Sequence, residues 1–160
     1  MPVRYASKDV SPEPLAQELH FHPSGRVAKN RFLKAPIAES LATYDAKDVS
    51  KRNSDRRDDW AVQTGKNNFG IILTGNVDID LNSVGPAACA GIPIDTPFEG
   101  ERFERFKQLA AAGKKDGSLF VAQVNHPGRH VRYKANPVAI SASDVQLGEY
   151  LATPSQTTAD

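Results

Sequence analysis

Three short apolar runs are the clearest feature of the chain. They cover residues 31–37, 70–74 and 119–124. The second run is apolar almost throughout, as a parallel strand covered on both faces would be. We predict three buried β-strands, the first ending near Pro36, the second leading into Gly75-Asn76 and the third ending at Val124.

Two helical patterns separate these strands. Helix is expected around residues 58–66, with Asp58 or Asp59 in the first turn and Trp60 facing inward. Residues 99–115 give the stronger pattern, one apolar stripe among charged neighbours. The stripe consists of Phe103, Phe106, Leu109, Ala110 and Gly113. Alternating strands and helices favour an α/β fold with parallel strands and crossover helices, and the pattern alone fits an open sheet or a barrel.

The remaining chain predicts smaller elements and the domain limits. Residues 1–14 are polar and contain three prolines, which indicates a loose arm. Two short runs around Pro23-Ser24-Gly25 predict a β-hairpin. Residues 81–97 are rich in Gly, Pro and Ala and are expected to form a long loop. One domain is therefore expected over residues 15–150, followed by a polar tail over 151–160.

Composition is that of an ordinary soluble protein and favours no charged partner. Of the 160 residues, 39% are hydrophobic and 24% are charged, with a net charge of +1. The one basic cluster, residues 51–57, is interrupted by acidic residues, so neither nucleic acid nor a membrane surface is an expected partner. Cys89 is the only cysteine and has no nearby base. A single cysteine, no signal peptide and no long apolar stretch favour a cytoplasmic protein.

Small and polar residues follow each predicted strand. The first strand leads into Ala35-Pro36-Ile37-Ala38, the second into Gly75-Asn76, and the third into Gln123-Val124-Asn125. Ligands of parallel α/β folds bind at these carboxyl ends, because the loops there share one crevice. An amide such as Gln123 can both donate and accept hydrogen bonds, which suits a heterocycle with alternating C=O and N–H groups. The same residues could instead do no more than terminate strands.

Other common site patterns are absent from the sequence. Neither GxGxxG nor GxxxxGK[ST] occurs, so a nucleotide-phosphate loop of either type is unsupported. His126 and His130 are four residues apart, but Pro127 between them breaks the helix that would bring them to one face. His20 and His22 form an isolated pair without further ligands. No metal site is predicted.

Four segments together resemble one enzyme family. KNRFLKAPIAES, GIILTGNVDID and FVAQVNHPGRH are similar to the first three barrel strands of old yellow enzyme-like NADH:flavin oxidoreductases. NPVAISAS resembles the Pro-Ser-Ala loop of the same family. The resemblance covers roughly residues 15–145 and implies the N-terminal portion of an FMN-binding (β/α)8 TIM barrel. Such a barrel needs roughly 250 residues, so an incomplete barrel of about three strands is expected.

The resemblance also implies which residues face the flavin. Gln123 would bond the pyrimidine edge of the ring, Gly75 would give it close access to the backbone, and Asn125 would face the substrate pocket. The residues expected along the isoalloxazine are Ala35, Pro36, Ile37 and Ala38. Ala38 stands where the family often has Thr or Cys, so it offers no hydrogen bond that tunes the flavin. His126 and Arg129 are expected to shape their loop.

The implied activity is an FMN-dependent NAD(P)H oxidoreductase of the ene-reductase type, with an electron-poor small molecule as acceptor. The family's His-x-x-Asn or His-x-x-His pair occurs nowhere in the sequence. That pair and the proton donor are expected beyond residue 160, so no catalytic residue is assigned and the isolated chain is expected to be inactive. The alternative is a non-catalytic truncated product that associates with a complementary C-terminal half-barrel. Homo-oligomerisation is a further possible association.

Overall fold

A computed structural model describes residues 9–37, 41, 55–80, 82–85, 89–92 and 94–156. The helices are α1 (Glu13–Ala16), α2 (Asp55–Lys66) and α3 (Gly100–Lys114). The strands are β1 (Leu19–Phe21), β2 (Arg26–Ala28), β3 (Leu33–Lys34), β4 (Ile71–Asp78), β5 (Ala90–Gly91), β6 (Leu119–Asn125), β7 (Val138–Ser141) and β8 (Thr153–Gln156). A 3-10 turn, Gly128–His130, follows β6.

The central sheet is parallel and is built around β4. One edge of β4 pairs with β6, from Ile71 opposite Leu119 to Asp78 opposite Asn125. The other edge pairs first with β3, where Leu33 lies opposite Ile71, and then with β5. Helices α2 and α3 lie between the paired strands in the sequence and pack against each other. The predicted parallel α/β order is confirmed, and the described strands do not close into a barrel.

Polar contacts tie the chain together at the amino end of this sheet. The Asn30 side chain donates to the carbonyl of Asn68 over 2.7 Å and accepts from the N–H of Phe32 over 3.1 Å. Gly70 lies so close to this turn that a Cβ there would collide with the Asn30 carbonyl. The Ser118 hydroxyl donates to the carbonyl of Phe69 over 2.6 Å. These bonds align the starts of β3, β4 and β6.

Helix α3 packs on β6 through a small residue. A Cβ at Gly113 would collide with the Phe120 ring, so the ring occupies the space that a side chain would need. Leu109 of the predicted apolar stripe is 3% exposed and Gly113 is also buried. Phe120 therefore points to the α3 side of the sheet, which fixes the direction of every other side chain along β6.

Several sequence predictions need correction. The first and third strands are not buried on both faces, since Leu33 is 48% exposed and Val124 is 64% exposed. Helix α2 begins three residues earlier than expected, at Asp55. The predicted 81–97 loop contains the short strand β5. The polar residues of β8 pair in parallel with β7, although their composition does not predict a strand.

Other features agree with the sequence interpretation. The hairpin of β1 and β2 is antiparallel, with Leu19 opposite Ala28. Trp60 is half-buried, and the Lys34 ammonium lies 4.7 Å from the centre of its ring. Within the described part of the chain, no helix is long and apolar enough to cross a membrane.

Candidate functional site

Four polar side chains form two hydrogen-bonded pairs at the carboxyl end of the sheet. Gln123 lies opposite Asn76, and its Nε2 donates to Asn76 Oδ1 over 2.7 Å. Asn125 lies opposite Asp78, and its Nδ2 donates to Asp78 Oδ1 over 2.7 Å. Residues two apart on a strand share a face, so the four side chains form one row. We call Asn76, Asp78, Gln123 and Asn125 the polar ladder.

The polar ladder lies on the face of the sheet opposite α3. Phe120 contacts Gly113 of α3, and side chains alternate along a strand. Gln123 and Asn125 are odd-numbered residues of the same strand and therefore point the other way. Neighbouring side chains in a parallel register share a face, which places Asn76 and Asp78 with them.

A β-bulge lies directly before the polar ladder. Leu73 pairs with Val121, but the next pair is Asn76 with Gln123, so β4 has one more residue than β6 in this interval. The buried Thr74 hydroxyl accepts from the N–H of Gln123 over 3.1 Å and donates to the carbonyl of Gly75 over 2.7 Å. A side chain thus replaces a missing backbone acceptor. Gly75 lies inside β4 at this bulge, and not in a closing turn as the sequence suggested.

Gly85, which follows β4 in the chain, contacts the polar ladder. The N–H of Gly85 donates to Asp78 Oδ2 over 3.1 Å. A Cβ at Gly85 would lie 3.3 Å from Asn76 Nδ2 and 3.4 Å from Asn125 Nδ2, so a larger residue would crowd both amides. Next to them is a cavity of about 540 Å³. Its lining consists of Asn76, Gly85, Asn125, His126, Pro127, His130, Arg132 and Leu151.

The ladder keeps unused hydrogen-bonding atoms of both kinds. Gln123 uses its Nε2 and Asn125 uses its Nδ2, while the Oε1 and Oδ1 acceptors of the same amides make no bond to another described residue. Asn76 accepts through Oδ1, and its Nδ2 donor has no partner in the same part of the chain. Donors and acceptors are therefore both available for a polar heterocycle.

The residues that follow β3 run toward the carboxyl end of the sheet, where the polar ladder lies. Lys34 pairs with Ile72, and Ala35, Pro36 and Ile37 continue from it toward the carboxyl end of β4. Ile37 is 65% exposed. The sheet therefore brings the carboxyl end of β3 to the same edge as Gly75, Gln123 and Asn125. Ala38 lies outside the described residues.

Two side chains, those of His126 and Arg129, hydrogen-bond within the segment that follows β6 and fix its conformation. Arg129 Nη1 donates to the Ser143 hydroxyl over 2.7 Å and to the Val145 carbonyl over 3.0 Å. His126 Nδ1 accepts from the N–H of Gly128 over 3.2 Å. These contacts agree with the loop-shaping role expected for both residues. No group of three His, Cys, Asp or Glu residues in the described ranges is placed to hold a metal ion.

Asp80 lies beside His126, one of the residues that line this cavity. Its Oδ2 lies 3.7 Å from His126 Nε2. Burial raises the pKa of Asp80, but hydrogen bonds from the Asn82 N–H and from Ser83, together with His126, lower it by more. The result is a pKa below the ordinary range of an aspartate, which favours the carboxylate.

Sequence reasoning missed Asp78 and assigned no partner role to Asn76, because the predicted strand stopped at Thr74. The signal was present in the alternation Asn76-Val77-Asp78, where polar residues two apart continue a strand with one polar face. Val77 between them is 1% exposed, as the opposite face requires.

The fold is shared with solved enzymes. The old yellow enzyme homologue from Zymomonas mobilis matches 89% of this chain and 40% of its own, with a TM-score of 0.71 and 21% identity. The old yellow enzyme from Trypanosoma cruzi matches 92% of this chain and 43% of its own, with a TM-score of 0.70 and 18% identity. Because both sequence identities are low, these matches show a similar fold and nothing about function.

Curated relatives are similar to this chain in sequence. The chain is 42% identical over 146 residues to the NADH-dependent flavin oxidoreductase nadA of Aspergillus parasiticus. The aligned region covers 89% of this chain. The name of this relative agrees with the resemblance of the sequence to old yellow enzyme-like NADH:flavin oxidoreductases. A second relative, the NADH-dependent flavin oxidoreductase iliE of Neonectria sp., is 29% identical over 141 residues. No family model matches the chain.

The chain spans 32% of the length of nadA and 18% of the length of iliE. The solved neighbours are TIM barrels. The central sheet and its two crossover helices are the part of that barrel present in the described residues.

Proposed function

We propose that the chain supplies part of the flavin site of an FMN-dependent NAD(P)H oxidoreductase of the ene-reductase type. The acceptor would be an electron-poor small molecule such as an activated alkene. The observation that supports this most directly is the polar ladder beside a glycine bulge at the carboxyl end of β4 and β6. In α/β barrels this is the end at which ligands bind.

The free atoms of the ladder suit the pyrimidine edge of a flavin. That edge presents C=O and N–H groups in alternation, and the ladder offers unused amide acceptors and an unused amide donor. The bond from Gln123 to Asn76 holds the Gln123 amide in one orientation, with Oε1 left to accept from a ring N–H. FMN therefore fits the residues present.

The proposed site residues of this chain would position the cofactor. Gln123 would bond the ring edge, Gly75 would let the ring approach the backbone, and Asn125 would face the substrate above it. Ala35, Pro36, Ile37 and Ala38 would lie along the isoalloxazine. Bound FMN would supply the hydride chemistry between NAD(P)H and the acceptor, while the protein supplies orientation and electrostatics.

The isolated chain is proposed to bind FMN weakly and to be inactive. Much of the binding free energy of FMN would come from its phosphate, which the family binds through later loops and a helix N-terminus. The family's carbonyl-binding pair, His-x-x-Asn or His-x-x-His, occurs nowhere in this sequence, and the proton donor is expected after it. A positioned acid typically contributes about 10²–10⁴-fold to the rate.

The test compares the chain alone with the chain joined to the later barrel strands of the nadA relative. FMN is titrated by fluorescence quenching, and reduction of cyclohexenone is followed with NADH and with NADPH. The joined protein should bind FMN and turn over, and the isolated chain should do neither above free flavin. In the joined protein, Gln123→Leu should weaken FMN binding by roughly fivefold to tenfold, the effect of about one hydrogen bond.

Gln108→Leu on the exposed side of α3 is the matched control and should leave FMN binding unchanged. Equal FMN binding by the Gln123→Leu and Gln108→Leu proteins would remove the proposed role of the ladder. Tight FMN binding with turnover by the isolated chain would show that the missing parts are not needed.

A second candidate role is association with a complementary half-barrel or with another copy of the chain. Half-exposed apolar residues lie on both outer strands, including Leu33 on β3 and Val121 on β6. Open strand edges beside apolar side chains favour pairing with another chain. Sedimentation of the purified chain, alone and mixed with the later nadA strands, would reveal such a complex. A monomer under both conditions would argue against this role.

A further inference from the structure

A second cavity, of about 740 Å³, lies on the α3 side of the sheet. It is formed by the first half of α3, the chain that follows β4 and β5, and Ile140 of β7. Most of its lining is apolar and includes Ile79, Ile92, Ile94, Phe98, Phe103 and Phe106. Its size is within the range of small-molecule sites, which are mostly apolar with a few placed polar groups.

Arg102 in the first turn of α3 is the one cationic side chain of this lining. Its Nη1 donates to the Thr96 hydroxyl over 2.9 Å. Its Nε is buried and has no hydrogen-bond partner among the residues that the structure describes. A buried N–H without a partner is unfavourable, so this atom calls for an acceptor that the described residues do not provide.

The position of the unpaired atom indicates the shape of that acceptor. Nε–H and the second terminal nitrogen form one edge of the guanidinium, and a planar carboxylate can accept from both at once. Nη1, which bonds Thr96, lies on the other edge and holds the group in place. The free edge therefore suits a carboxylate better than a single carbonyl.

We propose that this cavity binds a small amphipathic carboxylate. The carboxylate accepts from the Nε edge of Arg102, and the apolar body lies among Ile92, Phe103 and Phe106. Asp80 and His126 are the other ionisable groups of the lining. Because Asp80 favours its carboxylate, the ligand carries one acidic group, at the Arg102 end, and an uncharged body.

This site is separate from the proposed flavin site. The polar ladder faces away from α3, whereas the cavity is lined by Phe103 and Phe106 of α3. His126 borders both cavities. Binding of the carboxylate needs no flavin and can be measured in its absence.

The test titrates the 160-residue chain with decanoate and, as a neutral probe of equal chain length, with decanol. Calorimetry should show decanoate binding at least tenfold tighter than decanol. Arg102→Met should weaken decanoate by tenfold or more and leave decanol unchanged, while the control Lys114→Met, in the exposed last turn of the same helix, should change neither. Equal affinities for the two probes, or unchanged decanoate binding by Arg102→Met, would overturn the proposal.

Stability separates this role from a purely structural one. If the Nε edge serves a ligand, Arg102→Met should change the melting temperature little, because it removes an unpaired buried N–H together with the bond to Thr96. A clear drop would indicate that Arg102 serves the fold instead. The Nε–H resonance of Arg102 in the unmodified chain gives a readout that needs no variant. Decanoate should shift it and decanol should not, and no shift with decanoate would exclude the site.

Discussion

Gln123 pairs with Asn76 only because β4 contains one additional residue before the pair. Without the bulge, the register of Leu73 with Val121 would continue to Gly75 opposite Gln123. Asn76 and Asp78 would then point to the α3 side, since a slip of one residue moves every side chain to the other face. The extra residue therefore brings four polar side chains to one face and leaves Val77, which is 1% exposed, on the other.

Thr74→Val should destabilise the bulge. Valine has nearly the same shape, but it removes the acceptor for the Gln123 N–H and the donor to the Gly75 carbonyl. The expected loss is about 2 kcal/mol, the effect of leaving buried polar groups unpaired. Thr74→Ser keeps the hydroxyl and should lose only about 1 kcal/mol for the methyl group. Urea unfolding would measure both, and equal losses would contradict the role of the hydroxyl.

Asn125→Asp should be unfavourable near neutral pH. It replaces the donor to Asp78 with a second carboxylate, and Asp78 is only 1% exposed. The expected loss is more than about 2 kcal/mol. Lowering the pH should recover part of it, because the two carboxylates can share a proton. Asn136→Asp is the control, since Asn136 acts as an acceptor from the Val138 N–H and aspartate can do the same. A pH-independent loss in the Asn125→Asp chain would argue against repulsion.

Gly113→Ala should destabilise the contact of α3 with β6. The new methyl group would overlap the Phe120 ring, and overpacking of this kind costs about 1–3 kcal/mol. Gly148→Ala adds the same atom where nothing lies within 4 Å and should change stability by less than about 0.5 kcal/mol. The double variant Gly113→Ala with Phe120→Leu should recover much of the loss. Additive losses would show that the two residues do not interact.

The pKa of Asp80 predicts a dependence of stability on acid. A carboxyl group with a lowered pKa in the folded state stabilises the protein above its unfolded pKa, and the contribution is lost as the pH falls through the folded pKa. The free energy of unfolding should therefore decline below about pH 4. Asp80→Asn should reduce this decline in urea unfolding at several pH values. His126→Gln should keep most of it, because Asn82 and Ser83 still donate to the carboxylate; its complete loss would contradict that assignment.

The sequence predicted the order and direction of the main elements because their patterns are local. The parallel strands β4 and β6, helix α3 and the β1–β2 hairpin follow from apolar runs, one helical stripe and one turn. The placement of Gly75, Gln123 and Asn125 at one edge follows from strand polarity. Their role toward a flavin stays a prediction.

Other features depend on contacts that no local pattern contains. The bulge arises because the Thr74 hydroxyl replaces a backbone acceptor, and a threonine at the end of an apolar run does not show this in advance. The burial of β6 was overestimated because an apolar run indicates two covered faces, whereas Val124 on the α3 face is 64% exposed and Val121 on the other face is 45% exposed. Strand β8 is polar and forms through pairing with β7, which is a tertiary contact.

The two edges of the central sheet differ in how much of their length is open to a further strand. On the β3 side, β5 bonds the last residues of β4, from Val77 opposite Ala90, and blocks that half of the edge. On the other side, the outer edge of β6 pairs with no described strand along its seven residues. A further parallel strand can therefore extend the sheet fully only beyond β6. A strand added beyond β6 would lie beside the strand that carries Gln123 and Asn125.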